Sequence, residues 1–330
     1  MSDITASSPR LVGLWQRSAR TDLVAVVVIA AAAAALYLLF PSSLALLTRI
    51  VAIMLLVLSL DLVTGVGGVA TLGHATLFGA GAYAAGIAAA KFGITEPFAM
   101  LAIGAAAGAL AGIVSSLVIL RGHGLSQLVL SIAVVQLAHE AANKLSTWTG
   151  GSDGLSGIAP SALFGLFRFD LWGRTAFFLS VGLLVVVFVV LRMVLRSPFG
   201  MLCRAIRQDP VRVRAMGAPV YLTLVKLYAV AGAIAGLGGA LSAITSKVVG
   251  LDSLSFNLSA ESLVMLVLGG TGNLFGAMLG TLVFVWFEHA VSAINPFHWL
   301  TIVGVLLVAI VLFAPKGLTG ALASRLRTRV

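Results

Sequence analysis

The chain has 330 residues, of which 60% are hydrophobic and only 10% are charged, and its mean hydropathy is +1.11. A soluble domain covers its surface with about a quarter charged residues, so this composition excludes most cytosolic enzymes and disordered proteins and predicts a membrane protein. The net charge of +10 does not indicate a nucleic-acid partner, because the basic residues flank hydrophobic stretches, where they set topology and meet anionic lipid.

The N-terminal segment is polar and basic and precedes the first apolar run. Residues 1–22 carry three arginines, and the uncharged run 23–40 follows directly. A signal peptide cleaved just after this run would have the same order, but the run exceeds the usual hydrophobic region and more spans follow. We therefore expect a cytoplasmic arm over residues 1–22 and a first transmembrane helix from residue 23.

Further apolar segments predict an all-α polytopic protein with about ten transmembrane or re-entrant helices, in a transmembrane domain that covers residues 23–314. Basic clusters tend to face the cytoplasm, and here they lie at both ends of the chain, at Arg121 and between Arg192 and Arg214. Ten crossings, an even number, return the chain to the side on which it began. Both termini, including a tail over residues 315–330, are therefore expected in the cytoplasm. The further segments lie at about 44–64, 70–91, 97–120, 125–142, 175–195, 220–246, 258–270, 273–293 and 298–314.

Two long hydrophilic connections differ in charge. Residues 143–174 are nearly neutral and rich in aromatic side chains, which is typical of an external, periplasmic surface with interfacial anchors. Residues 196–217 carry five arginines against one acid, which predicts a cytoplasmic position. Pro198 and Pro210 each allow a helix to begin, and Gly217 suits a left-handed cap, so two short helices are expected in this loop.

Two glycine-rich stretches in the two halves of the chain resemble each other. The first covers residues 65–81 and the second covers residues 269–280. Glycine-interrupted spans at corresponding positions of the two halves often mark discontinuous helices along the path of a transporter. Glycines that serve only the packing of helices are an equally open alternative.

Signatures of enzymes and cofactors are missing from the sequence. The dipeptide Gly-Lys never occurs, so the chain has no G-x-x-x-x-G-K-[ST] phosphate loop with which to bind ATP. His139 and Glu140 resemble the start of a zinc-protease motif, but Asn143 stands where the second histidine ligand is required. Cys203, the single cysteine, excludes an intramolecular disulfide and a cysteine-based zinc site.

The acidic residues bear on the source of energy. Asp61, Glu140, Glu261 and Glu288 are the candidates for an ion-binding group of a secondary transporter. Each lies near the end of its apolar run or beside a polar cluster, so solvation at the interface explains them about as well. The lack of charges at the centre of the spans favours a transporter driven by a partner.

The basic loop is the most informative stretch for such a partner. A helix with Met201, Leu202, Ala205 and Ile206 on one side and arginines on another would insert an apolar face into a groove of the partner while its charges steer docking. The alternative is a loop that only fixes topology.

Five short motifs stand in order over roughly residues 50–320. In this order they resemble the permease subunits of branched-chain amino acid ABC importers, especially the longer, M-type subunit. The motifs are Gly73–Ala75 with Phe78–Tyr83, Thr149–Ile158, Ser197–Gly200 with Arg204–Arg207, Leu268–Gly276, and Phe313–Leu318.

The resemblance implies a multi-pass subunit of the bacterial inner membrane that has no ATPase site and no cofactor. Its partners would be a second, homologous permease, two cytoplasmic ATP-binding subunits and a periplasmic amino-acid-binding protein. ATP hydrolysis by these partners would alternate the access of a path between the permeases. The chain departs from the family near Asp61, where asparagine is common, and at Val69–Thr71, where the family has glutamine, leucine and serine. Branched-chain amino acids, urea, short amides and aromatic acids therefore all stay open as substrates.

Two sets of candidate site residues follow, and an ion-coupled secondary transporter or channel for a small polar solute stays as the alternative. The substrate path would follow the broken helices, whose freed backbone groups bind polar solutes without buried side-chain charge. Its residues are Gly73, His74, Gly79, Gly81, Tyr83, Gly269, Gly270, Gly272 and Asn273. The segment that resembles coupling helices, which receive the motion of the ATPases, contributes Pro198, Phe199, Gly200, Arg204, Ala205, Ile206, Arg207, Asp209, Ala215 and Gly217.

Overall fold

The computed structural model describes residues 9–40, 43–162, 173–294 and Gly304. Within these ranges the chain is mainly α-helical and has no strand, and an isolated β-bridge joins Leu155 to Val249. A π-helical turn (Asp61–Val66) continues the second helix. The helices are α1 (Pro9–Leu39), α2 (Leu44–Leu60), α3 (Ala75–Phe92), α4 (Pro97–Ile119), α5 (Leu125–Lys144), α6 (Ser146–Thr149), α7 (Arg174–Arg196), α8 (Pro198–Gln208), α9 (Pro210–Ala215), α10 (Val220–Ser246), α11 (Phe256–Gly269) and α12 (Leu274–Ile294).

The all-α polytopic architecture expected from the sequence is confirmed. Among the described residues, six helices are long and apolar enough to cross a membrane, and two shorter apolar helices accompany them, Val24–Leu39 and Phe256–Gly269. α1 already begins at Pro9, so it passes through the polar segment that the sequence assigned to an arm. The predicted span 298–314, apart from Gly304, and the tail 315–330 lie outside the described residues.

Two of the predicted spans are interrupted. The segment expected at 70–91 becomes helical only at Ala75, because residues 69–74 form an irregular connection after the π-helical turn. The segment expected at 258–270 is the 14-residue helix α11. At 1.5 Å per residue α11 is about 21 Å long, well short of the ~30 Å of a bilayer core. α11 is therefore shorter than a full span, and the turn 270–273 leads from it into α12.

The centre of the bundle is formed by α2 and α10. In the apolar windows of these helices, 89% and 72% of the residues are buried, as expected of helices that are hydrophobic on all sides. α10 packs against α2, α3 and α4. A helix that is apolar on all sides is buried only when other helices surround it. The surrounding helices are therefore arranged around α2 and α10.

Glycines let α4 and α10 touch along their backbones. Gly104 and Gly108 of α4 lie against Gly236 of α10, and Gly112 lies against Tyr228. A Cβ atom at Gly108 would stand 2.7 Å from the Cα atom of Gly236, a distance that real Cβ atoms do not reach. Small residues at a fourfold spacing allow such close approach in membranes. The pairing is antiparallel, so the end of α4 lies beside the start of α10.

This pairing places Arg121 and the basic segment of α8 and α9 at one end of the bundle. Arg121 follows α4, α8 and α9 precede α10, and all three therefore stand at the same end. The five arginines between residues 196 and 217 belong to this end as well. We call it the arginine end.

Capping residues define the two short helices at the arginine end. The Ser197 hydroxyl accepts a hydrogen bond from the Gly200 N–H (3.3 Å), and Pro198 opens α8. The Asp209 carboxylate accepts from the N–H groups of Val211 and Arg212 at 3.1 and 3.0 Å and so caps α9. With a φ of +86° at Gly217, the expected pair of helices and the expected left-handed glycine are both confirmed.

A substitution in the α4–α10 contact will destabilise the fold. Gly108→Ala forces a methyl group against the backbone of α10, and overpacking of this kind costs about 1–3 kcal/mol. Gly182→Ala in α7 is the matched control, because no atom lies within 4 Å of the added Cβ and alanine favours a helix by ~1 kcal/mol. Thermal unfolding in detergent should give a lower Tm for Gly108→Ala and an unchanged or higher Tm for Gly182→Ala. Equal Tm values would contradict the close contact.

The single cysteine will be unreactive in the folded chain. Cys203 is 0% exposed on the inner face of α8, and burial raises the pKa of its thiol to about 11. Since the thiolate is the reactive form, N-ethylmaleimide should label the native protein very slowly at neutral pH and label it fully after unfolding in dodecyl sulfate. Met216→Cys is the positive control, because Met216 is 74% exposed. Rapid labelling of the native wild-type chain would show that α8 does not bury Cys203.

Candidate functional site

The end of α2 is irregular and carries a buried acid. Between Asp61 and Val66 the helix widens to a π-helical turn, and the Gly67 N–H donates to the Leu62 carbonyl, five residues back, at 3.1 Å. Such turns are rare and frequently lie at functional sites. Asp61, which is 1% exposed, opens this turn on its inner side.

The Asp61 carboxylate binds the second glycine stretch. Its Oδ1 atom accepts a hydrogen bond of 2.6 Å from the backbone N–H of Gly272, 211 residues away in sequence. Gly270 and Gly272 have φ values of +104° and +83°, a region that glycine enters without steric cost. The carboxylate therefore satisfies a backbone donor of the turn 270–273 and ties that turn to the end of α2.

Helix α8 reaches the same place through Arg207. Its guanidinium donates a hydrogen bond to the carbonyl oxygen of Gly65 in the π-helical turn. Gly68, with a φ of +72°, lies flat against the Arg207 side chain, where a Cβ atom would stand 2.7 Å from Cγ. We call Asp61, Gly65, Gly68, Arg207 and Gly272 the glycine joint. It connects α2, α8 and the α11–α12 turn.

The first glycine stretch is held by serines from three other helices. The N–H of Leu72 donates to the Ser131 hydroxyl of α5 at 2.9 Å, and the N–H of Ala75 donates to the Ser259 hydroxyl of α11 at 3.0 Å. His74 is 1% exposed, and its Nε2 lies 2.9 Å from the Ser59 hydroxyl of α2. The freed backbone groups at Leu72 and Ala75 thus have partners inside the chain.

The other residues predicted for the path divide into packing and turn positions. Gly79 packs on Leu254, Gly81 packs on the backbone of Gly236, and Gly269 packs on Gly276 of α12. The structure therefore favours the packing alternative for these three glycines. Tyr83 of α3 is buried, and its hydroxyl has no hydrogen-bond partner within the described residues.

At the turn before α12, Asn273 is exposed and its side-chain oxygen accepts from the Phe275 N–H at 3.2 Å. Gly73 lies against the Ser131 backbone. The two glycine stretches meet at Gly65 and Gly272, where a Cβ atom on Gly65 would stand 2.7 Å from the Gly272 nitrogen. Gly79, Gly81 and Tyr83 do not take part in that contact.

Most of the apolar face expected on α8 points inward. Of that face, Ile206 is only 3% exposed and Leu202 and Ala205 pack partly against the core, whereas Met201 is 59% exposed. The inner side of α8 also includes Phe199, Gly200 and Cys203. The expectation that Ile206 enters a partner is therefore wrong, because it helps anchor α8 to the bundle.

A different set of residues faces outward at the arginine end. Large apolar side chains here stand beside arginines, as is typical of protein interaction sites. Arg204 donates to the Leu195 carbonyl at 3.0 Å, and Arg212 pairs with Asp209 at 3.2 Å, both within the segment. Ala215 and Gly217 are exposed beside them. We define the α8–α9 surface as Met201, Arg204, Val211, Arg214 and Met216.

The acids considered for ion binding have partners of their own. Glu288 lies 3.9 Å from Arg49, and Glu140 lies 3.6 Å from Lys144. Glu261 is attracted by the charge of Arg49 and repelled by that of Glu288. Among the described residues, no group of three or more His, Cys, Asp and Glu side chains is placed to hold a metal ion.

Ser59, Ser131 and Ser259 were not identified as site residues from the sequence, and Asp61 was considered only as a candidate for ion binding. Single serines in apolar helices were the available signal, because a polar side chain there needs a hydrogen-bond partner. Nothing local in the sequence indicates which backbone group each serine binds.

Comparison with known proteins identifies similar membrane permeases. A family model described as the permease component of branched-chain amino acid transport systems matches residues 42–314. The chain is 27% identical over 283 residues to the high-affinity branched-chain amino acid transport system permease protein LivM of Escherichia coli, covering 79% of this chain and 66% of the relative. The same protein of Salmonella typhimurium is 26% identical over 299 residues, 84% of this chain and 70% of the relative.

An archaeal relative, the probable branched-chain amino acid transport permease protein LivM of Methanocaldococcus jannaschii, is 28% identical over 146 residues, 40% of this chain and 42% of the relative. The chain spans about two thirds of the length of the two bacterial relatives. No solved structure matches it. Because the family model covers most of the sequence, the chain belongs to the branched-chain amino acid transport system permease components.

Proposed function

We propose that the chain is a permease subunit of an ATP-driven importer that translocates branched-chain or related amino acids delivered by a periplasmic binding protein. The observation that carries this proposal is the α8–α9 surface on a chain of this family. A transporter without a phosphate loop needs energy from elsewhere, and this surface presents exposed apolar side chains beside arginines to a partner.

The partners would be two ATP-binding subunits and a second, homologous permease. Met201, Val211 and Met216 are 59%, 74% and 74% exposed, so they supply apolar contacts, while Arg204 and Arg214 steer an acidic partner toward them. The buried face of α8 fixes this helix to the bundle. A displacement of the α8–α9 surface would therefore also displace the helices against which α8 packs. The path would run between the two permeases.

The arginine end would face the cytoplasm of a bacterial inner membrane. Arg121 and the arginines of the 196–217 segment are gathered there, and basic residues are enriched on the cytoplasmic side of membrane proteins. This orientation brings the α8–α9 surface to the compartment that supplies ATP. Both termini would also be cytoplasmic. The connection 143–174, whose Leu155 forms a β-bridge with Val249 just after α10, would face the periplasm.

Reconstitution tests this proposal directly. Liposomes that contain the chain, its second permease and the ATP-binding subunits should take up leucine when ATP and the binding protein are supplied on the appropriate sides. Liposomes with the chain alone should show no accumulation. Accumulation by the chain alone under a proton or sodium gradient would contradict the proposal and favour an ion-coupled secondary transporter.

Charge reversal on the α8–α9 surface should release the ATP-binding subunits. Arg204→Glu with Arg214→Glu replaces two attractive charges by repulsive ones, which should weaken association by about ten- to a hundredfold. Arg121→Glu is the matched control, because this exposed arginine stands at the same end but outside the surface. Co-purification with the ATP-binding subunits measures the effect. An equal loss of bound ATP-binding subunits in both variants would mean that the total charge of the arginine end, and not the α8–α9 surface, determines binding.

A further inference from the structure

We propose that the glycine joint transmits the motion of α8 to the α11–α12 turn, with Arg207 and Asp61 as its positioning residues. The proposal rests on the proposed function, since it assigns a route by which ATP-binding subunits would act on the permease. It separates two jobs among neighbouring arginines of one helix: Arg204 contributes to docking, while Arg207 connects the docked helix to the bundle.

The first contact of this route is made by Arg207. Its guanidinium bonds the Gly65 carbonyl inside the π-helical turn, although 142 residues separate the two in sequence. Gly68 has no side chain that would keep the arginine away, and its φ of +72° presents flat backbone to it. Arg204, one helical turn earlier, instead bonds the Leu195 carbonyl within its own segment. A displacement of α8 therefore reaches the end of α2 through Arg207.

The π-helical turn is suited to respond in discrete steps. It holds one more residue per turn than an α-helix, so a shift of its hydrogen bonds by one residue gives a second regular arrangement. Coupling between distant sites requires such an element with two arrangements. A shift of this kind changes the spacing between Gly65, held by Arg207, and Asp61, which is held by Gly272.

The second contact passes the displacement to the half-helix. The 2.6 Å bond from the Gly272 N–H to Asp61 fixes the turn 270–273, whose two left-handed glycines allow it to act as a hinge. α11, which leads into this turn, caps the start of α3 through Ser259 and Ala75. The joint thus connects α8 to both interrupted spans of the chain.

The electrostatic setting supports a positioning role for Asp61. The carboxylate is 1% exposed, and the positive charge of Arg207 stabilises its charged form. A buried acid is costly unless its neighbours compensate for the lost water, and here the Gly272 N–H fixes the position of the carboxylate while Arg207 offsets part of its charge. Removing either side chain leaves the other parts of the joint without a fixed partner.

Uncoupling is the expected result of breaking the joint. In the complete reconstituted complex, Arg207→Ala should keep the ATP-binding subunits bound and hydrolysing ATP, while leucine uptake per ATP hydrolysed falls about tenfold, the effect of a lost charged hydrogen bond. Asp61→Ala should act in the same direction. Asp61→Asn keeps a side-chain oxygen for the Gly272 N–H, so its ratio should stay within about twofold to threefold of wild type.

The controls address folding and additivity. Lys226 is an exposed residue of α10 outside the joint, so Lys226→Ala should keep the wild-type ratio of leucine uptake to ATP hydrolysis. The double variant Arg207→Ala with Asp61→Ala should lose no more than either single variant, because both act on one route. If the Arg207→Ala chain does not fold, Arg207→Lys replaces it and should give a smaller loss, since lysine keeps a charged donor without the guanidinium fork.

Three results would overturn the joint. A wild-type ratio in both alanine variants would show that the contacts transmit nothing. Loss of the ATP-binding subunits from Arg207→Ala would make Arg207 a docking residue, and multiplied losses in the double variant would place the two residues on separate routes. Failure of the wild-type complex to transport with ATP is a different result, which would contradict the proposed function.

Discussion

The structure depends on one constraint of the hydrocarbon interior, where backbone N–H and C=O groups find no water and must bond within the protein. A regular helix meets this constraint by itself, whereas an interrupted helix needs side chains from elsewhere. Here Ser131 and Ser259 bond the connection before α3, and Asp61 bonds the turn before α12. Each interruption is therefore also a contact between helices that are distant in sequence.

Glycine serves opposite purposes in different parts of the bundle. Between α4 and α10 it brings two backbones together and makes the contact rigid. At Gly270 and Gly272 it allows left-handed backbone and makes a turn that bends. Composition alone cannot separate these uses, because both appear in sequence as small residues between apolar ones.

Features with a local cause could be predicted from the sequence. Long apolar runs gave the helices, Pro198 and Pro210 gave the starts of α8 and α9, and Gly217 gave the left-handed cap. The interruption near residues 270–273 followed from its glycines in the same way. These signals act over a few residues, so they need no knowledge of the tertiary structure.

Features with a distant cause could not be predicted. The inward side of α8 was assigned wrongly at Ile206, because nothing within eleven residues says which face meets the bundle. Arg207 was grouped with Arg204 for the same reason, although its partner Gly65 lies 142 positions away. The substrate path and the second permease stay predictions. Both concern a surface between two subunits, and the structure contains one subunit.

The backbone contact between α4 and α10 has a mechanical consequence. Two helices whose main chains touch at successive glycines cannot slide past each other or rotate without collision, and α3 is locked to them through Gly81 and Gly236. These three helices therefore form a tightly packed block, and we expect a change of shape in the subunit to occur in the shorter segments around them.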